Sequence, residues 1–578
     1  MEKAFDLIIR GGTVVDGTGA PAFEADVAVK EGAIAAVGRI SGSGAEEIDA
    51  RGLLVTPGFV DIHTHYDGQA TWDQRMQPSS WHGVTSVVMG NCGVGFAPCR
   101  KTDHDLLIRL MEGVEDIPFP VLAQGLPWTW ESFPEYLDAL AVRRFDIDIG
   151  AQLPHAALRV FVMGERGANR EPATQADINA MAAIAKRSME AGALGFSSSR
   201  SLNHRASDGA FTPSLTAAEE ELSGIALGMA AAGRGVLQFI TDFKDPDEDF
   251  ALLRRLAERS GRPLSFSLLQ NPQAPALYIH LLELLAQARA DGLEMRAQVP
   301  GRPVGVLLGL ALTANPFTRH PAFEPLADLP HDQKLAALRD PAVRAALLTP
   351  QPPTRGPLMN ALHRWTGMYL LGDEPDYEPT LDHTVAAMAA QRGVDPAELA
   401  YDHMLSDGGR GLFYIAHLNY AEGNLDPSYR MMTDAGTVPG LSDGGAHVGM
   451  ICDASFPTTN VTHWTRDRTR GPQLPLEYII QAQTQGTARA VGLNDRGVIA
   501  PGYRADLNVI DYPRLKVARP EIAYDLPGGG KRLLQRAQGY AATIVAGQIT
   551  YRDGEPTGAL PGRLVRGGQS APVAMAAE

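Results

Sequence analysis

Two rhythms of hydrophobic and polar positions run along this chain. Residues 4–56 alternate in short apolar runs (FDLIIRGGTVVDG, ADVAVKEGAIAAVG, AEEIDARGLLVTP) parted by glycine turns. A period of two between such turns predicts antiparallel strands with one buried face. The same pattern returns within residues 497–551, in GVIAPGYRADLNVIDY and YAATIVAGQITYRDG. Each set is too short to cover its own apolar face. The two ends are therefore expected to pair into one small β-sandwich domain, residues 1–56 with 497–567.

Between them, strand patterns alternate with helical ones. Strands are predicted at 54–63, 84–91, 145–155, 192–200, 235–242, 262–270, 294–303 and 437–445. Helical stretches such as DINAMAAIAKRSMEA and DFALLRRLAERS lie between several of them. Alternating βα units build a parallel sheet, and eight of them point to an α/β fold, a TIM-like (β/α)8 barrel. It would occupy residues 57–303 and 431–496. Residues 304–430 break the alternation; they are proline-rich and mostly helical in pattern. Here an inserted lid over the barrel's C-terminal face is expected.

Composition narrows the function by exclusion. With 578 residues, 44% hydrophobic and 20% charged, the chain has material for more than one globular unit. A net charge of −16 argues against nucleic acid or anionic membrane as partners, since both select basic surfaces. Three cysteines, Cys92, Cys99 and Cys452, do not make a secreted disulfide framework. There is no basic-then-apolar leader, and no apolar run reaches the ~18 residues needed to cross a bilayer. A cytoplasmic protein acting on a small molecule is expected, with the oligomeric state left open.

In a barrel the chemistry sits at the C-terminal ends of the strands. The first strand ends in GFVDIHTHYD. His63 and His65, two apart on a strand, project to one side, and two converging imidazoles are half of a transition-metal site. The last strand ends in GLSDGGAH. There Asp443 can bind a metal and accept a proton from an attacking water; its alternative role is a helix cap. His63, His65 and Asp443 would leave a fourth position free, as catalytic zinc requires. Other strand ends carry Cys92, His155, Arg200, Asp242, Gln270 and Arg302. A guanidinium from Arg200 or Arg302 could hold a substrate carboxylate in bidentate fashion.

The order and spacing of GFVDIHTHYD, GNCGVGFAP, LPHAALR, GALGFS, SDGG and GVIAPGYRADLNVID resemble the amidohydrolase superfamily, in its N-acyl-D-amino-acid deacylase (D-aminoacylase) branch. The resemblance runs over nearly the whole chain except much of 304–410. It implies a metal-bearing barrel, with zinc (Zn2+, one or two ions) the expected cofactor. It also implies a small-molecule amide substrate, with Asp443 as general base. His63 and His65 match the first-strand metal ligands of that branch, and Cys92 its metal-binding cysteine. His155 and His447 fall at motif positions near the pocket and are expected to touch substrate.

Two departures stand beside the matches. The family's histidines on strands five and six are missing: those strands end FITDFKD and SLLQNPQ, and no histidine lies between His204 and His280. The His-Pro-Arg stretch that follows the last-strand aspartate in D-aminoacylases has no counterpart in HVGMICDASFPTTNVTHWTRDR. The leading expectation is a metal-dependent deacylase of N-acyl amino acids. The alternatives are hydrolysis of another bond (a cyclic amide, carbamate or lactone) and a non-catalytic binding protein with a decayed site.

Overall fold

The barrel begins where the chain leaves the terminal sheet, at Pro57 and Gly58. In the computed structural model, which describes residues 4–350, 362 and 364–573, Leu54–Pro57 is a strand of one sheet and Phe59–Asp61 the first strand of the next. A β-carbon at position 58 would collide with the Thr85 side chain, so this pivot takes glycine.

Eight strands form the barrel: β1 Phe59–Asp61, β2 Val84–Met89, β3 Asp148–Pro154, β4 Gly195–Arg200, β5 Val236–Thr241, β6 Leu264–Ser267, β7 Met295–Val299 and β8 Thr437–Pro439. They lie side by side in this order, every pairing parallel. β2 and β3 are buried along their whole length, as parallel strands covered on both faces must be. Helices such as Gln175–Glu190, Glu219–Ala232, Pro246–Ser260 and Leu277–Ala290 fall between successive strands. The ring closes beyond β8 and β1. The His65 N–H donates to the Gly444 carbonyl at 2.7 Å, and the Asp443 N–H to the His63 carbonyl at 3.1 Å. Closure of the cylinder therefore brings the first and last strand motifs together.

Strands from both chain ends share one nine-stranded sheet, in which Leu54–Pro57 lies between Phe5–Val14 and Leu507–Ile510. The sheet is mixed, a correction to the antiparallel reading of the N-terminal segment. Phe5–Val14 runs parallel to both Gly44–Asp49 and Leu54–Pro57. The chain leaves Val14, makes the hairpin Phe23–Lys30 and Ala33–Gly38, and crosses back. Alternation registers a strand but not the direction in which it pairs.

The insertion is also less helical than its sequence pattern. Helices His331–Leu338, Val385–Arg392 and Pro396–Met404 accompany an antiparallel sheet of Val304–Gly309, Leu412–Leu418 and Met368–Leu371, with Leu412–Leu418 central. Leu308, Met368, Phe413 and Ile415 join Leu338, Ala400 and Met404 in a core of their own. Val304–Gly309 follows β7 so closely that its apolar run reads as that strand's continuation. Residues 351–361 and 363 of the insertion lie outside the described residues.

Two further contacts shape the barrel mouth. The Leu307 N–H donates to the Met450 carbonyl at 2.7 Å, which ties the insertion to the loop after β8. The Leu533 N–H, on the hairpin Glu521–Leu526 and Gly530–Leu534, donates to Val448 of the same loop at 2.6 Å. Among the described residues no helix is long and apolar enough to cross a membrane.

Candidate metal centre

Just past β1 the chain carries His63 and His65, both almost fully buried. Each outer ring nitrogen faces an oxygen. Nδ1 of His63 lies 2.7 Å from Gln298 Oε1, and Gln298 Nε2 donates to Ser265 Oγ at 3.0 Å. With Nε2 on Ser265, the Gln298 amide turns Oε1 to the ring. The carbonyl oxygen can only accept, so Nδ1 of His63 carries the proton and Nε2 keeps its lone pair. For His65 the outer partner is Glu115, with Nδ1 and Oε1 3.2 Å apart. Both rings thus present Nε2 to the same space, His63 through its hydrogen bond to Gln298 and His65 through its charge contact with Glu115.

Two other groups enter that space. Cys92 Sγ lies 3.3 Å from His63 Nε2. Asp443 Oδ1 lies 3.4 Å from Nε2 of each histidine. Donor atoms of His63, His65 and Cys92 all fall within 4.8 Å of one another. Cys92 and Asp443 both hold left-handed backbone, with φ of 56° and 49°. For residues with a β-carbon this conformation is strained, and it persists only where the surroundings over-determine it. Here it turns both side chains off their strand ends and into the cluster.

The electrostatics follow from burial and from these neighbours. Burial pushes the Cys92 thiol up to about 11, against the pull of His65. Burial, aided by His65 and opposed by Asp443, lowers His63 to about 4. Burial opposes protonation of His65 as well, but Glu115 and then Asp443 outweigh it and raise that ring well above its ordinary value. Asp443 would be raised by burial, yet His65, His63 and His447 hold it well below the usual carboxylate range. The carboxylate therefore stays ionised.

This donor set fits a divalent cation. Asp443 Oδ1 is buried without a hydrogen-bond partner among the described residues, an expensive arrangement for a carboxylate oxygen. It points between two imidazole nitrogens and beside a thiol. Nitrogen, sulfur and carboxylate oxygen are the ligand types of zinc. Strands five and six add no imidazole. β5 presents Gln238, whose Oε1 accepts from the Cys92 N–H at 3.3 Å. β6 presents Ser267, level with Gln298, and Ser265, level with Arg296. Beyond β5, Asp242 accepts from Ser201 Oγ at 2.7 Å and the Leu202 N–H at 2.9 Å.

The other sequence candidates have separate places. His447 is half-buried, with Nε2 3.7 Å from Glu115 Oε2, so it borders the cluster. His155 is buried between Ser198 Oγ at 2.8 Å and Glu221 Oε1 at 2.9 Å. Arg200 donates to the Ala217 carbonyl at 2.9 Å. Arg302 is 1% exposed. It donates to Asp453 and the Cys452 carbonyl, both at 3.1 Å, and stacks 3.7 Å from the Tyr377 ring centre. The structure brings neither arginine into the cluster.

Three residues of the site were not singled out from sequence. Gln298 lies mid-strand, where nothing local marks it. Glu115 ends helix His104–Glu115, where an acid opposes the helix dipole; that misplacement was the one available signal. His204, half-buried after β4, places Nδ1 2.8 Å from Ser199 Oγ. Burial, with His447 and His65 nearby, lowers it to about 3.

Comparison with known proteins bears on the family and the fold. The sequence profile described as "Amidohydrolase family" matches residues 46–551. An uncharacterized protein of Mycobacterium tuberculosis is 27% identical over 98% of this chain and 96% of its own. The D-aminoacylase of Alcaligenes xylosoxydans xylosoxydans is 33% identical over 264 residues, 45% of this chain and 49% of that one. Among solved structures, the N-acyl-D-glutamate deacylase of Bordetella bronchiseptica superposes with a TM-score of 0.65 at 23% identity, over 98% of this chain and 100% of that one. That protein was crystallised with zinc and a phosphonate mimic of its tetrahedral intermediate.

Proposed function

We propose a function from one premise: this chain belongs to the amidohydrolase family. It is a metal-dependent hydrolase acting on a carbon–nitrogen bond. The substrate class we assign is the N-acyl amino acid, cleaved to a carboxylic acid and a free amine. The observation that carries this reading is the convergence of His63, His65, Cys92 and Asp443, with Asp443 Oδ1 orphaned among them. The D-aminoacylase and the N-acyl-D-aspartate deacylase of Alcaligenes xylosoxydans xylosoxydans, to which the chain is similar, supply the substrate class.

His63, His65 and Cys92 would hold one zinc ion with Asp443 beside it, which leaves a fourth position free for water. Bound there, zinc supplies Lewis acidity to the scissile carbonyl and makes a water acidic enough to attack near neutral pH. Asp443 is the proton carrier. Its carboxylate, kept ionised by the neighbouring imidazoles, accepts a proton from the attacking water and delivers it to the departing amine nitrogen. Gln298 and Glu115 keep the two imidazoles turned so that Nε2 faces inward throughout. His447 and His204, half-buried at the mouth, orient the substrate. Of the sequence candidates for substrate contact, His447 is the one that borders the cluster, so it takes that role ahead of His155, Arg200 and Arg302.

The test is a substrate panel run on zinc-loaded and chelated protein. N-acyl-D-amino acids, their L-enantiomers and cyclic amides form its three arms. Zinc-dependent release of amine from a linear N-acyl amino acid supports the proposal. Turnover confined to cyclic amides, or turnover that survives complete chelation, overturns it.

A further inference from the structure

The opposite end of the barrel carries a second cavity. About 370 Å3 in volume, it is lined by residues at the N-terminal ends of three strands, Val236 of β5, Leu264 and Ser265 of β6, and Met295 and Arg296 of β7. Arg289, from helix Leu277–Ala290, and Arg489, from helix Thr487–Ala490, complete its wall. The metal centre lies at the C-terminal end of the barrel, past β1, β2 and β8. Ser265 separates the two: it lines the cavity, is 5% exposed, and binds Gln298 within the barrel layer that supports His63. The cavity is therefore a site apart, not the rear of the catalytic pocket.

Its charge is one-sided. Arg289, Arg296 and Arg489 share the cavity with one acid, the exposed Glu294. Among the described residues, no carboxylate lies within 4.0 Å of any of these guanidiniums. Arg289 gives one N–H to the Met295 carbonyl at 3.3 Å, while Arg296 and Arg489 make no side-chain hydrogen bond among the described residues. Burial, then Arg289 and to a lesser degree Arg489, lowers Arg296 below its ordinary value against the pull of Glu294. Three like charges around one concavity are costly unless a counter-charge enters, and guanidinium forks match carboxylate and phosphate oxygens.

We infer that this cavity is a binding site for a small oxyanion of two or more negative charges, held by Arg289, Arg296 and Arg489. The shared chemistry covers phosphate and dicarboxylate, and the volume admits either. A polyanion such as nucleic acid is too large to enter.

The test is isothermal titration of zinc-loaded protein with inorganic phosphate and, separately, with succinate, at low and constant ionic strength. Saturable binding of either anion, weakened at least tenfold by Arg296→Gln, supports the site, and the tighter arm identifies its source. Arg489→Gln is the second variant. Arg489 is exposed at the rim, so its replacement leaves the fold intact, and it too should weaken binding. If neither anion binds more tightly than about 10 mM, or if binding is equal in wild type and both variants, the inference fails.

Discussion

Gln298 Oε1 sits 2.7 Å from Nδ1 of His63, across the ring from the Cys92 thiol and the Asp443 carboxylate. One amide, itself held by Ser265, thus sets the tautomer of a ligand contributed from two strands away in the ring. Gln298→Leu keeps the volume and removes the acceptor. The zinc affinity of the variant, measured by competition with a chromophoric chelator, is expected to fall roughly 10–100-fold. Unchanged affinity would show that His63 does not depend on this partner.

Asp443 is assigned the proton-carrying role. Asp443→Asn retains an oxygen near His63 and His65 but cannot accept a proton at neutral pH. We expect kcat to drop by about 10²–10⁴-fold, with KM little affected and the far-UV circular dichroism unchanged. Turnover within threefold of wild type would remove Asp443 from the mechanism.

Cys92 is a buried thiol with its pKa pushed up to about 11 by burial. A cation in the cluster must deprotonate it to gain a sulfur ligand. Cobalt-substituted protein should therefore show a thiolate-to-metal charge-transfer band that Cys92→Ser lacks. Identical near-ultraviolet spectra for the two would place sulfur outside the coordination sphere.

His82 offers a test of burial away from the metal. It is fully buried, with Nδ1 2.8 Å from Thr458 Oγ1 and Nε2 2.9 Å from the Gln535 carbonyl. Burial lowers it to about 4. An unfolded chain takes up this proton near pH 6.5, whereas the folded chain does not until about pH 4. The unfolded state therefore binds more protons across that window, and the contribution of His82 to stability declines as the pH falls through it. Relative to His82→Asn, wild type should lose up to about 3 kcal/mol between these limits. Parallel stability profiles for the two proteins would contradict the assignment.

Much of the architecture was legible in the chain itself. The period of two at both termini, the alternation of strand and helix between them, and the HTH and SDGG motifs are local patterns. Secondary structure and the side of a strand on which a residue projects are local properties too. His63, His65, Cys92 and Asp443 could be read because each ends a strand in a short recognisable motif. The pairing directions of Phe5–Val14 and the sheet within the insertion could not, since hydrogen-bond partners are chosen between distant segments. Gln298, Glu115 and His204 escaped for the same reason. Nothing within ten residues of Gln298 distinguishes it from any polar residue inside a barrel, and its function exists only because closure of the ring turns β7 toward His63. The sequence determined which groups could grip a cation; the closed cylinder decided which neighbours orient them, because orientation depends on contacts between strands that no local pattern encodes.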